Sequence, residues 1–275
     1  MSTASPLSVT PAVFTIPPHR AFADALAAGL VARHGRDPLT LARGVVLLPN
    51  NRAARALTDA FVRRAGGGLL LPRLVPLGDP ALDERLGSLL DPIDAPVPPA
   101  IAPLERALIL ARLVAEAKAR AGEPLGMAEA ARLGAELGRT LDQLLVEEVD
   151  PARLSSLVDP LVEPELAGHW QSALALLELL LARWPEELAR RGRIDAADRR
   201  NRLLDRITRH WARTPPAGFV VAAGIPIAAP AVARLLRLVA RLPEGMVGLP
   251  GLDQAMPAEE WQALGPHAPD PATGQ

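Results

Sequence analysis

This 275-residue chain contains no cysteine and no tyrosine. The missing thiols exclude disulfides, thiolate nucleophiles, zinc–thiolate sites and iron–sulfur clusters from this stretch of polypeptide. Aromatic residues make up only 3%, so the core must be built from Leu, Ala and Val, and stacking platforms for bases are scarce. Lysine is almost absent: Lys118 is the only one, and arginine supplies every other basic side chain. No 18-residue apolar run is free of charge, so no membrane span is expected. The N-terminus shows no basic region followed by a long apolar run. No signal peptide is therefore expected, and a cytoplasmic location follows by default.

Apolar residues reach 49%, enough for a sizeable core. The net charge of −1 hides a regional split. Residues 1–80 carry +5, residues 81–190 carry −9 and residues 191–275 carry +3. Two basic ends around an acidic middle suit a chain whose ends fold together and face a polyanion. An ordinary solvated surface accounts for the same split equally well.

The organising stretch runs from Gly44 to Leu57. Val45-Val46-Leu47-Leu48 is too short for a helix and reads as a strand buried on both faces. Pro49 cannot donate to a sheet ladder and ends it. Asn50 or Asn51 can cap the helix that follows, where Ala53, Ala54, Ala56, Leu57 and Phe61 keep helical spacing. Upstream, after a loose tail of residues 1–11, Val13–Ile16 is a short strand and residues 19–34 a helix. Leu69–Leu77 is a third extended segment, placed near a sheet edge by its prolines. Residues 103–121, 126–147, 164–184 and 195–212 read as four helices. In the third, Leu166, Trp170, Leu174, Leu177, Leu181 and Trp184 form one apolar stripe, which reads as a packed bundle face. Phe219–Gly224 and Met246–Pro250 are further strands around a helix that opens at Pro230. The pattern predicts a parallel-sheet α/β domain made of residues 1–80 and 214–253, an all-helical insertion at 100–213, and a loose tail at 254–275 without a helix.

A strand running into a helix N-terminus is where α/β proteins place phosphate sites. Here the glycines and lysine of a phosphate loop are missing, and Lys118 falls on an insertion helix, which argues against ATP hydrolysis. Arg52 and Arg55 remain able to hold phosphates, because a guanidinium binds them bidentately. They suit a solvated helix face as well. Pro17-Pro18-His19-Arg20 forms a second strand-to-helix turn, where His19 is a phosphate contact, a general base or a surface histidine. His169, before Trp170 on the bundle helix, reads as structural, His210 and His267 stand alone, and no histidines fall at metal-ligand spacing. Asp253 follows the last strand and puts one carboxylate at the sheet's edge.

Several segments taken in order resemble the opening of AddB, the alphaproteobacterial type of double-strand break repair protein. They are Phe14–Arg20, Leu47–Leu57, Leu71–Asp79, Pro99–Leu104, Gly224-Ile225-Pro226 and Leu249–Asp253. The likeness covers the chain up to Asp253. Where the family favours a Thr-Arg-Arg-like turn, this chain has Asn50-Asn51-Arg52, one positive charge fewer. The resemblance implies a P-loop-like, degenerate superfamily 1 helicase domain. It also implies a partner, the AddA helicase–nuclease subunit, and a role on single-stranded DNA during homologous recombination. The family's nuclease, with its iron–sulfur cluster and Mg, is expected far C-terminal. This chain, much shorter, is expected to be a fragment that holds no cofactor.

The leading expectation is therefore a non-catalytic module that binds single-stranded DNA, with His19, Arg20, Asn50, Asn51, Arg52, Arg55 and Arg73 as candidate contacts. Phosphate contacts supply affinity without base specificity. A scaffold for the partner subunit and a nucleotide-binding transferase are the alternatives.

Overall fold

Val45–Leu48 forms the middle of a sheet, buried at every residue, as its unbroken apolar run predicts. The computed structural model describes residues 10–79, 81–89, 96–149, 164–226 and 229–265, apart from the side chains of 88, 164–175 and 180. Five strands pair in the order β1-β5-β4-β2-β3: β1 (Val13–Ile16), β2 (Val45–Leu48), β3 (Arg73–Pro76), β4 (Val220–Ala223) and β5 (Gly245–Pro250). All four pairings are parallel, with Val45 beside both Arg73 and Val220, and Val13 beside Val247. The proline-flanked β3 is an edge strand, as its composition requires.

Two helical layers cover the sheet, and the period-two alternation of β2 feeds both. Val46 and Leu48 face α1 (Phe22–His34), α2 (Pro38–Ala42) and α3 (Asn51–Ala65), together with Leu26, Leu30, Leu41, Leu57 and Phe61. Val45 and Leu47 face the other side. There Leu82 and Leu86 of α4 (Leu82–Leu86) pack with Leu204, Ile207 and Trp211 of α8 (Ala196–Arg213) and Leu235 of α9 (Pro230–Val239).

Between β3 and β4 lie α4, α5 (Pro103–Arg120), α6 (Met127–Val146), α7 (Pro164–Arg190) and α8. A separate core joins α5, α6 and α7 through Leu110, Leu113, Val114, Leu141, Leu177 and Trp184. The outer part of the expected stripe on α7, Leu166, Trp170 and Leu174, lies outside the described side chains. Helix α8 serves both bodies. Its apolar face completes the layer over the sheet, while Asn201 Nδ2 donates to Leu145 O at 2.7 Å and ties it to α6.

Four details depart from the sequence reading. Helix α7 continues six residues past Trp184 and through Pro185. Its last turn is pinned because buried Glu187 accepts from Arg112, Arg190 and Arg191. Helix α2 was not foreseen; Asp37 caps it by accepting from Leu39 N at 3.0 Å, and Leu41 is fully buried. Nor was α4 expected, in a region that reads as Pro/Asp-rich loop. The tail contains a short helix, α10 (Ala258–Ala263), but buries none of its residues. Among the described residues no helix is long and apolar enough to cross a membrane.

Candidate nucleic-acid interface

In a parallel sheet all strands end on one edge. Here that edge carries Pro17–Arg20 after β1, Pro49–Asn51 after β2, Leu77–Asp79 after β3, Gly224–Pro226 after β4 and Gly251–Asp253 after β5. The connections from β1 and β2 carry α1 and α3 on one face, whereas β4 leads into α9 on the other. Neighbouring strands β2 and β4 are thus wound in opposite senses. Such a switch point opens a crevice at the carboxyl ends of the two strands, the usual ligand position in open α/β sheets. Gly224, with φ of +63°, turns the chain sharply out of β4 on one side of it.

The turn after β2 forms the other side. Asn50 is the N-cap of α3, its Oδ1 accepting from Ala53 N at 3.0 Å. Asn51 Nδ2 donates to Asp79 Oδ2 at 3.2 Å, and Gly78 N donates to Pro49 O at 3.1 Å. The loops after β2 and β3 are therefore one bonded unit. Asp79 also accepts from Ala81 N at 3.0 Å and from Arg85 Nε at 3.2 Å. The hydrogen bond from Ala81, then those from Asn51 and Arg85, hold its carboxyl below the usual range against the opposing effect of desolvation.

Arg52 and Arg55 are exposed on α3 and have no hydrogen-bond or ion-pair partner among the described residues. Arg52 sits in the first turn, where the helix dipole already presents positive charge. Its unpaired guanidinium adds to that potential rather than cancelling it. Beyond this turn, a polar groove of about 590 Å³ runs along the open side of β3, lined by Asn51, Arg55, Thr58, Asp59, Arg73 and Arg85.

Three of the seven sequence-predicted residues, Asn51, Arg55 and Arg73, thus share one groove, with Asn50 and Arg52 at its head. Arg73 begins β3 and lies toward the opposite end of the strand from the turn. Its Nη1 donates to Leu86 O at 3.2 Å, which ties part of the guanidinium to the C-terminus of α4. His19 and Arg20 are exposed at the end of β1, three strand positions from β2 or roughly 14 Å at normal strand spacing. They do not join the groove. Asp253 accepts from Ala255 N at 2.9 Å and serves its own turn. Lys118 pairs with Glu123 at 2.7 Å on α5, away from the phosphate-loop position.

Sequence reasoning missed Asp79 and Arg85 as parts of this site. Asp79 lies two residues past the third extended segment, and its bond to Asn51 spans 28 positions and needs the β2–β3 pairing to exist. Arg85 had no signal, because its helix was read as loop. Among the described residues no group of His, Asp and Glu is placed to hold a metal ion. No family model matches the chain, and no curated protein matches it.

Proposed function

We propose that this chain is a non-catalytic, helicase-like module of the AddB type, which binds single-stranded DNA through its phosphates and docks on an AddA partner in the cytoplasm during double-strand break repair. One observation carries the DNA-binding part. Arg52 and Arg55, two arginines without a partner among the described residues, project from the first turns of the helix that starts at the sheet's switch point, at the head of an arginine-lined groove. Lone cations beside a positive helix end repel their surroundings, and a polyanion relieves both. Phosphate contacts of this kind carry no sequence information, and with so few aromatic side chains base stacking adds little.

A second reading, a scaffold that touches little DNA, draws on a different observation. Asn50, Asn51 and Arg73 are all engaged in holding the protein's own turns together. Fluorescence anisotropy of a labelled single-stranded oligonucleotide, titrated across a salt series with and without ATP, separates the two. Binding that weakens steeply with salt and ignores ATP supports the module. Absence of binding at low salt supports the scaffold, and an ATP-dependent affinity refutes the non-catalytic reading of the Asn50–Arg52 turn.

A further inference from the structure

The sheet has two open edges, and they are protected unequally. An edge strand exposes unpaired N–H and C=O groups, which proteins usually blunt with charge, proline or a bulge. β3 carries Arg73 at its start and Pro76 at its end. β1 reads Val-Phe-Thr-Ile and carries neither a charge nor a proline. The ladder shows which of its backbone groups are free. Val247 N donates to Ala12 O and Gly251 N donates to Ile16 O, both at 2.9 Å. Alternate residues of a strand turn their backbone groups the same way, so Ala12, Phe14 and Ile16 serve β5. The N–H and C=O of Val13 and Thr15 point outward, and no strand lies beside them among the described residues.

Both faces of this edge are apolar as well. Val13 and Phe14 lie on opposite faces and are 52% and 50% exposed, although a parallel strand between helical layers normally buries such side chains. On the α9 face, the core includes residues of β4 and β5 but none of β1. A groove of about 360 Å³ remains there, lined by Val13, Leu236, Val247 and Leu249. Arg237 and Arg241, four positions apart, line the same groove, and neither has a hydrogen-bond or ion-pair partner among the described residues. Ala12 N donates to Ala240 O at 2.7 Å, which fixes this end of α9 beside the start of β1. An open edge, an apolar groove and two unanswered cations thus adjoin one another.

We propose that β1 is a docking edge for an extended acidic–apolar segment of another protein, which adds a sixth strand to the sheet. The backbone of Val13 and Thr15 supplies the pairing. Side chains of the incoming strand alternate between its two faces. One set covers Phe14, and the other places an apolar residue in the groove with carboxylates beside it for Arg237 and Arg241. Charge decides among the occupants. A second copy pairing edge to edge brings its own Arg237 and Arg241 to the contact in place of carboxylates. Single-stranded DNA answers the arginines but not Val13, Phe14 and the apolar groove. The inference does not rest on the function proposed above, because the polar groove assigned to DNA follows β3 at the opposite edge.

The test uses the whole chain and a labelled synthetic peptide, Gly-Glu-Val-Leu-Val-Glu-Gly with blocked ends, whose symmetric pattern suits either strand direction. Fluorescence anisotropy is expected to show saturable binding that weakens about tenfold when both Glu are replaced by Gln. Methylating the amide nitrogen of Leu, or those of the two Val, removes donors from one side of the peptide strand. One of these peptides should lose binding and the other keep it, a pattern that burial in the groove without strand pairing does not produce. Val13→Pro removes an outward N–H, leaves the ladder to β5 intact and should lose binding more than tenfold. Arg237→Glu combined with Arg241→Glu changes no buried residue and covers the case in which the first variant does not fold. It should reject the acidic peptide and bind Gly-Lys-Val-Leu-Val-Lys-Gly instead. No binding by the parent, equal binding of the acidic and neutral peptides, or equal effects of the two methylation patterns overturns the proposal. So does a dimer of the parent that Val13→Pro separates, which gives the edge to a second copy. Displacement of the peptide by a single-stranded oligonucleotide gives the arginines to nucleic acid and overturns it equally.

Discussion

Asn50 and Arg52 stand two positions apart and do different work. The Asn50 side chain is committed to the backbone of α3, whereas Arg52 has no partner among the described residues. Asn50→Ala is expected to cost about 1 kcal/mol in urea unfolding and Asn50→Gly only a few tenths, because glycine is a tolerable N-cap. Neither change should alter the salt slope for DNA. Replacing Arg52 and Arg55 together by Ala should leave stability within about 0.5 kcal/mol, since both are exposed and unpaired. The same double change should lower the single-stranded DNA salt slope by about 1.4, two phosphate contacts' worth. An unchanged slope in the anisotropy titration favours the scaffold. A cap at Asn50 or Asn51 was legible because asparagine directly precedes a helical repeat, and the bond to Ala53 N selects Asn50. The Asn51–Asp79 bond was not, because nothing local links residues that meet only across paired strands.

At the scale of elements, the insertion shows how charge and close packing finish what apolar spacing begins. Burial tends to raise the pKa of Glu187, but hydrogen bonds from Arg191, Arg112 and Arg190 prevail and hold it at about 2. A carboxylate depressed in the folded state adds stability that is complete above its unfolded pKa, near 4.5, and disappears as pH falls through the folded value. The unfolding midpoint should therefore drop between about pH 4.5 and pH 2. Glu187→Gln should cost about 2 kcal/mol at neutral pH and flatten that part of the acid profile. A parallel acid profile in the variant would falsify this account of the α7 end. Close approach matters equally at Gly134 on α6, where an added Cβ would lie 2.9 Å from Ala111 N on α5. Gly134→Ala should thus destabilise by about 1–3 kcal/mol in thermal unfolding monitored by circular dichroism, although alanine is the better helix former. The continuation of α7 through Pro185 was illegible, because the proline rule is local and the anchoring arginines come from elsewhere in the insertion as well as from the helix itself.

For the whole molecule the question is whether the insertion and the sheet unfold as one. Trp184 reports the insertion core and Trp211 the core over the sheet, and α8 belongs to both bodies. Arg234 of α9 adds a further link, donating to Asp205 on α8 at 2.9 Å and to Glu148 after α6 at 2.8 Å. Denaturation followed through Trp184 and through Trp211, in variants that keep one of the two, should show coincident midpoints. Trp211→Ala should cost about 4 kcal/mol and lower the stability of the insertion along with that of the sheet. Separate midpoints would show that α8 does not couple them.

The amino-acid sequence by itself determined the parallel α/β class, the β2 and β4 strands, the edge position of β3, the presence of a helical insertion and an asparagine cap at position 50 or 51. Each follows from spacing, from short apolar runs or from what proline and asparagine do to adjacent backbone, all of which act over a few residues. Tertiary structure alone decided the order β1-β5-β4-β2-β3, and with it the switch point between β2 and β4. It also drew Asn51, Arg55 and Arg73 into one groove and set His19 and Arg20 apart at the far side. Strand order and side-chain pairing depend on residues tens to hundreds of positions apart. No local pattern carries that information until the sheet has closed around it.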